Sequence, residues 1–146
     1  MTSTQQRPTT VDTTSLAARL GQAAMAIVLA IVSVLLLVTT HRVELTVLGA
    51  DLPAGLLLGA AFQAVVCLFL WSATGTRFPL LVLGSLWGLL AGPFLGEGAG
   101  GGVLMPAVIA EQTQYSGWIV QGIGILIPFA LALVITVAAR GRSRAR

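Results

Sequence analysis

Few side chains in this 146-residue sequence are of types that do acid–base, nucleophilic or metal chemistry. There is one histidine, His41, one cysteine, Cys67, and five acids: Asp12, Glu44, Asp51, Glu97 and Glu111. A lone cysteine excludes an intramolecular disulfide and a Cys-only metal site. A lone histidine excludes the paired ligation of a haem-bearing helix bundle. No metal site or cofactor is expected. Glu97, Glu111 and His41 fall in segments that would meet on one face, but no spacing requires them to converge. No Ser/His/Asp set has support, the glycine run 98–102 lacks a following Lys-Ser/Thr, and no CxxC is present. These residues point away from an enzyme.

The remaining polar candidate is Gln63, which falls inside a long apolar run. An amide surrounded by lipid needs a partner, and polar groups at that depth are functional candidates by default. Glutamine is uncharged, however, and commonly joins helices at about 1 kcal/mol. Interhelical bonding is favoured here over a substrate contact. Gln22 and Gln121 fall near opposite membrane boundaries, where water would satisfy them. No Asp, Glu, Arg or Lys lies within any apolar run, which counts against a proton- or ion-coupled carrier.

The elements that position these residues follow from composition. The chain is 56% hydrophobic and 9% charged, whereas soluble domains carry about 25% charged residues. Thirteen charges do not coat a globule of this size, but they do suit the ends of helices whose sides face lipid. The basic residues are all arginines and sit at the edges of apolar runs without interleaved aromatics, so no nucleic-acid partner is expected.

Residues 1–15 are polar, Thr-rich and interrupted by Pro8, and are expected to form a disordered cytoplasmic tail. A four-helix transmembrane domain over 16–139 follows, with spans at about 20–40, 54–74, 79–95 and 117–139, and then a basic tail, 140–146. The first span has no charge across 21 residues, a match to a hydrocarbon core of about 30 Å. It exceeds a signal-peptide core and lacks a small-residue cleavage site, so it reads as retained. Pro53 opens the second span, the third is short with Pro93 near its end, and Pro128 is expected to kink the fourth.

Positive residues stay cytoplasmic. Arg7, Arg19, Arg77, Arg140, Arg142, Arg144 and Arg146 fall on one side and Arg42 alone on the other, while Glu44, Asp51, Glu97 and Glu111 share the side of Arg42. The expectation is an all-α membrane protein, a four-helix bundle with both termini cytoplasmic and two extracytoplasmic loops, in the plasma (inner) membrane with the lipid bilayer as first partner.

Glycines recur every four residues, at Gly55 and Gly59 in the second span and at Gly84, Gly88 and Gly92 in the third. Residues four apart share a helix face, and glycine there lets backbones approach closely. These positions are expected to pack helices two and three together as the tightest pair, or to form a face for a homo-oligomer or larger membrane complex. The first outer loop alternates Val43, Leu45 and Val47 with polar residues, a strand pattern, before a turn at Gly49. The second, from about 96 to 118, joins a glycine run to an apolar patch, Val103–Ala110, too short to span. An interfacial loop is favoured there over a lid on a central cavity.

The order of polar tail, helix, VELTVLGADLPAGLLLG passage, hairpin and Gly-rich outer loop resembles the small, uncharacterised four-helix integral membrane proteins of actinobacteria. That resemblance implies a plasma-membrane location, and no activity or site residue is carried over from it. The functional expectation is a non-enzymatic accessory or assembly subunit that packs through its Gly-rich faces. The alternative is a small oligomeric channel or transporter for an uncharged solute, gated by the outer loop.

Overall fold

The computed structural model describes residues 15–94, 96, 105, 108–109, 112–113 and 115–144. It is helical, with four helices: α1 Leu16–Thr40, α2 Ala54–Thr74, α3 Phe78–Ala91 and α4 Tyr115–Arg144. Of these, α1, α2 and α4 are long and apolar enough to cross a membrane. The expected tail over 1–14 lies outside the described residues.

Local chemistry sets the helix ends. Ser15 caps α1, its hydroxyl accepting from the Ala18 N–H at 3.2 Å. Gly75 ends α2 at φ 63°, the left-handed conformation that glycine adopts without a Cβ penalty, and its N–H donates to the Trp71 carbonyl. Pro79 sits in the first turn of α3, where no amide donor is required. Helix α4 continues through Arg140 to Arg144, so most of the expected basic tail is helical. Pro128 is buried within that helix.

The packing order corrects one expectation. Helix α3 packs chiefly against α1 and α4, and α2 against the same two, so α2 and α3 stand diagonally opposite. They are joined by a short turn, but they are not the tightest pair. The reason lies in side-chain size along α3: Gly84 and Trp87 both face α4, with Trp87 also reaching α1.

Helix α3 is short. Its 14 residues rise about 21 Å, followed by a 3-10 turn, Gly92–Phe94. Pro93 and Phe94 line one groove with Ile31, Val34 and Leu35 of α1, so α3 stops below the end of α1. Met105 fills part of that gap. The Met105 N–H donates to the Phe94 carbonyl at 3.0 Å, and its side chain is buried among Val34, Leu37, Val38, Trp87, Ala91 and Val120.

Two of the connecting segments carry paired strands. Strands β1 Leu45–Val47 and β2 Ala50–Leu52 pair antiparallel, and β3 Val108–Ile109 pairs with β4 Gln112–Thr113. The first hairpin turns at Leu48 and Gly49, both at positive φ (53° and 82°), as a two-residue turn matched to strand twist requires. The alternating segment therefore finds its partner strand within the same loop.

Candidate functional site

Two of the buried polar residues, Ser33 and Gln63, meet at the bundle centre in a network with one contribution from each helix. Ser33 of α1 donates its hydroxyl proton to Gln63 Oε1 of α2. The Trp87 indole N–H of α3 donates to Ser33 Oγ at 3.0 Å. Gln63 Nε2 donates to the carbonyl of Gly124 in α4 at 3.1 Å. Ser33, Gln63 and Trp87 are fully buried.

The Gly124 acceptor has a cause in the sequence. In an α-helix the N–H of residue i donates to the carbonyl of i−4. Residue 128 is proline and has no N–H, so the Gly124 carbonyl lacks its intrahelical donor. Gln63 supplies the missing proton from the neighbouring helix, as membrane interiors require of freed backbone groups.

Gly124 also makes room for Trp87. A Cβ at that position would lie 2.0 Å from the indole ring. The four residues thus form one packed and hydrogen-bonded unit of uncharged groups. No member titrates near neutral pH, and the serine has no base beside it. Chemically the unit fixes helix register, and it offers neither a nucleophile nor a proton path.

The glycines divide by position along their stripes. A Cβ on Gly55 would lie 1.7 Å from the Thr40 carbonyl oxygen, and one on Gly59 would lie 2.6 Å from the Leu37 side chain, so both receive α1. Gly84 meets Phe129 and Pro128, and Gly88 meets Ile125, so both receive α4. Gly92 and Gly96 have open space around them and pack against nothing. A four-residue step overshoots one helical turn by about 40°. The stripe on α3 accordingly rotates from buried Gly84 through half-buried Gly88 to exposed Gly92. The same drift carries the α2 stripe from Gly55, Gly59, Gln63 and Cys67 to Leu70 inside, leaving Trp71 exposed.

Gln22 is buried near the arginine-rich end of the bundle, and its Oε1 accepts from the Thr76 hydroxyl at 3.0 Å, so a side chain serves it there. That bond ties the α2–α3 turn to the start of α1. His41 is also buried. Its Nδ1 lies 2.9 Å from the Val38 carbonyl, and its Nε2 has no hydrogen-bond partner among the described residues. Glu97 and Glu111 lie outside the described residues, so their expected approach to His41 has no geometry here. Among the described residues no cluster of His, Cys, Asp or Glu is arranged to hold a metal ion.

Ser33, Trp87 and Gly124 were not singled out by type or spacing. Two signals in the sequence point to Gly124 and Ser33: Pro128 orphans the carbonyl of Gly124, and Ser33 falls on the face of α1 that Ala26, Ala30 and Leu37 share. Compared with known proteins, the chain matches no family model, no curated protein and no solved structure.

Proposed function

We propose that this protein is a non-enzymatic accessory or assembly subunit of a plasma (inner) membrane, with α3 completing a fourth crossing and both termini cytoplasmic. The observation that carries this reading is the closed network Ser33–Gln63–Trp87–Gly124 at the bundle centre. It spends the central polar groups Ser33, Gln63 and Trp87 on one another and fills the axis with an indole, which supports a function exerted from the bundle's outer surface. A solute path through a single copy would have to displace Trp87 and break bonds from all four helices. That weighs against the channel alternative.

The surface available to a partner is not the glycine faces, because Gly55, Gly59, Gly84 and Gly88 already receive helices of the same chain. Association would instead use outward side chains, such as Leu57, Leu58, Val65, Leu68 and Phe69 on α2. The bacterial plasma-membrane assignment rests on the arginine distribution and on the resemblance to actinobacterial four-helix proteins.

The test is purification of the full chain in mild detergent, with native mass determination and identification of retained proteins, beside flux assays in vesicles. A partner at fixed stoichiometry, lost on replacing Leu58 and Val65 by serine, is the expected outcome. Solute flux that responds to Gln63→Leu would overturn the reading in favour of a pore.

A further inference from the structure

A second feature lies on the outside of the bundle, at the arginine-rich end, between α3 and α4. A groove of about 310 Å³ is lined by Arg77, Leu81, Phe129, Ala132, Leu133 and Thr136. Its lining is graded. Arg77 and Thr136 form one end, and everything below them is apolar. From Thr136 to Phe129 is seven residues of helix, so the apolar part runs about 10 Å into the bilayer.

The arginine is placed rather than free. Arg77 Nη1 donates to Thr136 Oγ1 at 2.8 Å, and the Thr136 hydroxyl in turn donates to the Ala132 carbonyl at 2.7 Å. This chain of bonds holds the guanidinium across the mouth of the groove. A guanidinium carries five N–H donors, and one is used by Thr136. Among the described residues no carboxylate pairs with it, and the described acids, Glu44 and Asp51, are in the loop at the opposite end of the bundle. Arg140 stands one turn beyond Thr136 on α4, adding like charge about 6 Å further along the helix.

We propose that this groove is a binding site for one anionic phospholipid, with the phosphate on Arg77 and an acyl chain lying along Leu81, Phe129 and Leu133. Charge complementarity selects the headgroup, since a planar guanidinium takes phosphate through paired hydrogen bonds. The apolar walls select an amphiphile over a free anion. Basic pockets between membrane helices have this chemistry in general. The proposal is independent of whether the chain is an accessory subunit.

The experiment is native mass spectrometry of the full chain in detergent, titrated separately with phosphatidylglycerol, phosphatidylcholine and glycerol 3-phosphate. Retention of one phosphatidylglycerol is expected, with about tenfold weaker retention of phosphatidylcholine and none of the chain-free headgroup. Arg77→Gln should lower phosphatidylglycerol retention by about tenfold. Leu133 is 63% exposed, so Leu133→Trp fills the groove without disturbing the core, and it should weaken retention with every charge intact. Replacing Arg140, Arg142 and Arg144 by glutamine should leave most of the retention in place. Equal retention of the two lipids, or retention unaffected by both Arg77→Gln and Leu133→Trp, would overturn the site. Loss confined to the triple variant would assign the lipid preference to diffuse charge and overturn it equally.

Discussion

Gln63 joins two elements that the sequence leaves far apart, and Pro128 explains why. The proline withholds a donor from the Gly124 carbonyl, and the glutamine restores it from α2 at 3.1 Å. Gln63→Leu should destabilise the fold by about 1–2 kcal/mol, measured by unfolding in mixed micelles. Pro128→Ala returns an intrahelical N–H to that carbonyl. The cost of Gln63→Leu should therefore be smaller in the Pro128→Ala background, which a double-mutant cycle measures. Equal cost in both backgrounds would mean that the orphaned carbonyl is not what the amide serves. Steric demand at Gly124 is separate. Gly124→Ala places a Cβ 2.0 Å from a rigid indole hemmed in by Ser33, and about 1–3 kcal/mol or more should be lost. Gly21→Ala is the control: its Cβ meets open space, so helix propensity alone predicts a gain of about 1 kcal/mol.

At the scale of elements, α1 and α2 are held together by backbone contact at the ends joined by the β1–β2 hairpin. The Gly55 N–H donates to the Val43 carbonyl at 2.8 Å, and Gly55 has the Thr40 carbonyl where a Cβ would be. A carbonyl cannot rotate aside as a flexible side chain does, so Gly55→Ala should separate these helix ends. Faster amide exchange over 41–56 than in the unaltered chain would show it, while exchange in α3 should remain unchanged. The hairpin between them carries a strained residue. Leu48 is fully exposed at φ 53°, a conformation that costs a branched side chain about 1 kcal/mol or more. Leu48→Asn should slow exchange in β1 and β2, because asparagine tolerates that backbone and a leucine side chain there packs against nothing.

For the whole molecule, the arrangement around the bundle is α1, α3, α4, α2, with chain neighbours α2 and α3 on a diagonal. Two bonds pin this order at different depths: Thr76 to Gln22 near the arginine-rich end and Trp87 to Ser33 at the centre. A fourth crossing by α3 has a direct consequence for labelling. In a Cys67→Ser background, Leu48→Cys and Ser143→Cys should react with impermeant thiol reagents from opposite sides of the membrane, and Ser15→Cys from the same side as Ser143→Cys. Labelling of Ser15→Cys and Ser143→Cys from opposite sides would mean that α3 does not cross, leaving three spans.

The apolar runs by themselves determined the helices. Ala54–Thr74 is legible to the residue because Pro53 and Gly75 bracket it with opposite backbone demands. The lipid-compatible character of α1, α2 and α4 follows equally from length and charge exclusion. Local chemistry could not decide which helices touch. A four-residue glycine spacing marks a face, but the 40° drift decides how far along that face remains buried, so Gly84 packs and Gly92 does not. The partner of each face depends on groups distant in sequence: a proline in α4 creates an acceptor, a glutamine in α2 fills it, and a tryptophan in α3 needs a glycine in α4 to sit against. Such requirements are met jointly or not at all, and only the assembled bundle shows that they are. The Arg77 groove belongs to the same class, since its polar end joins residues 59 positions apart.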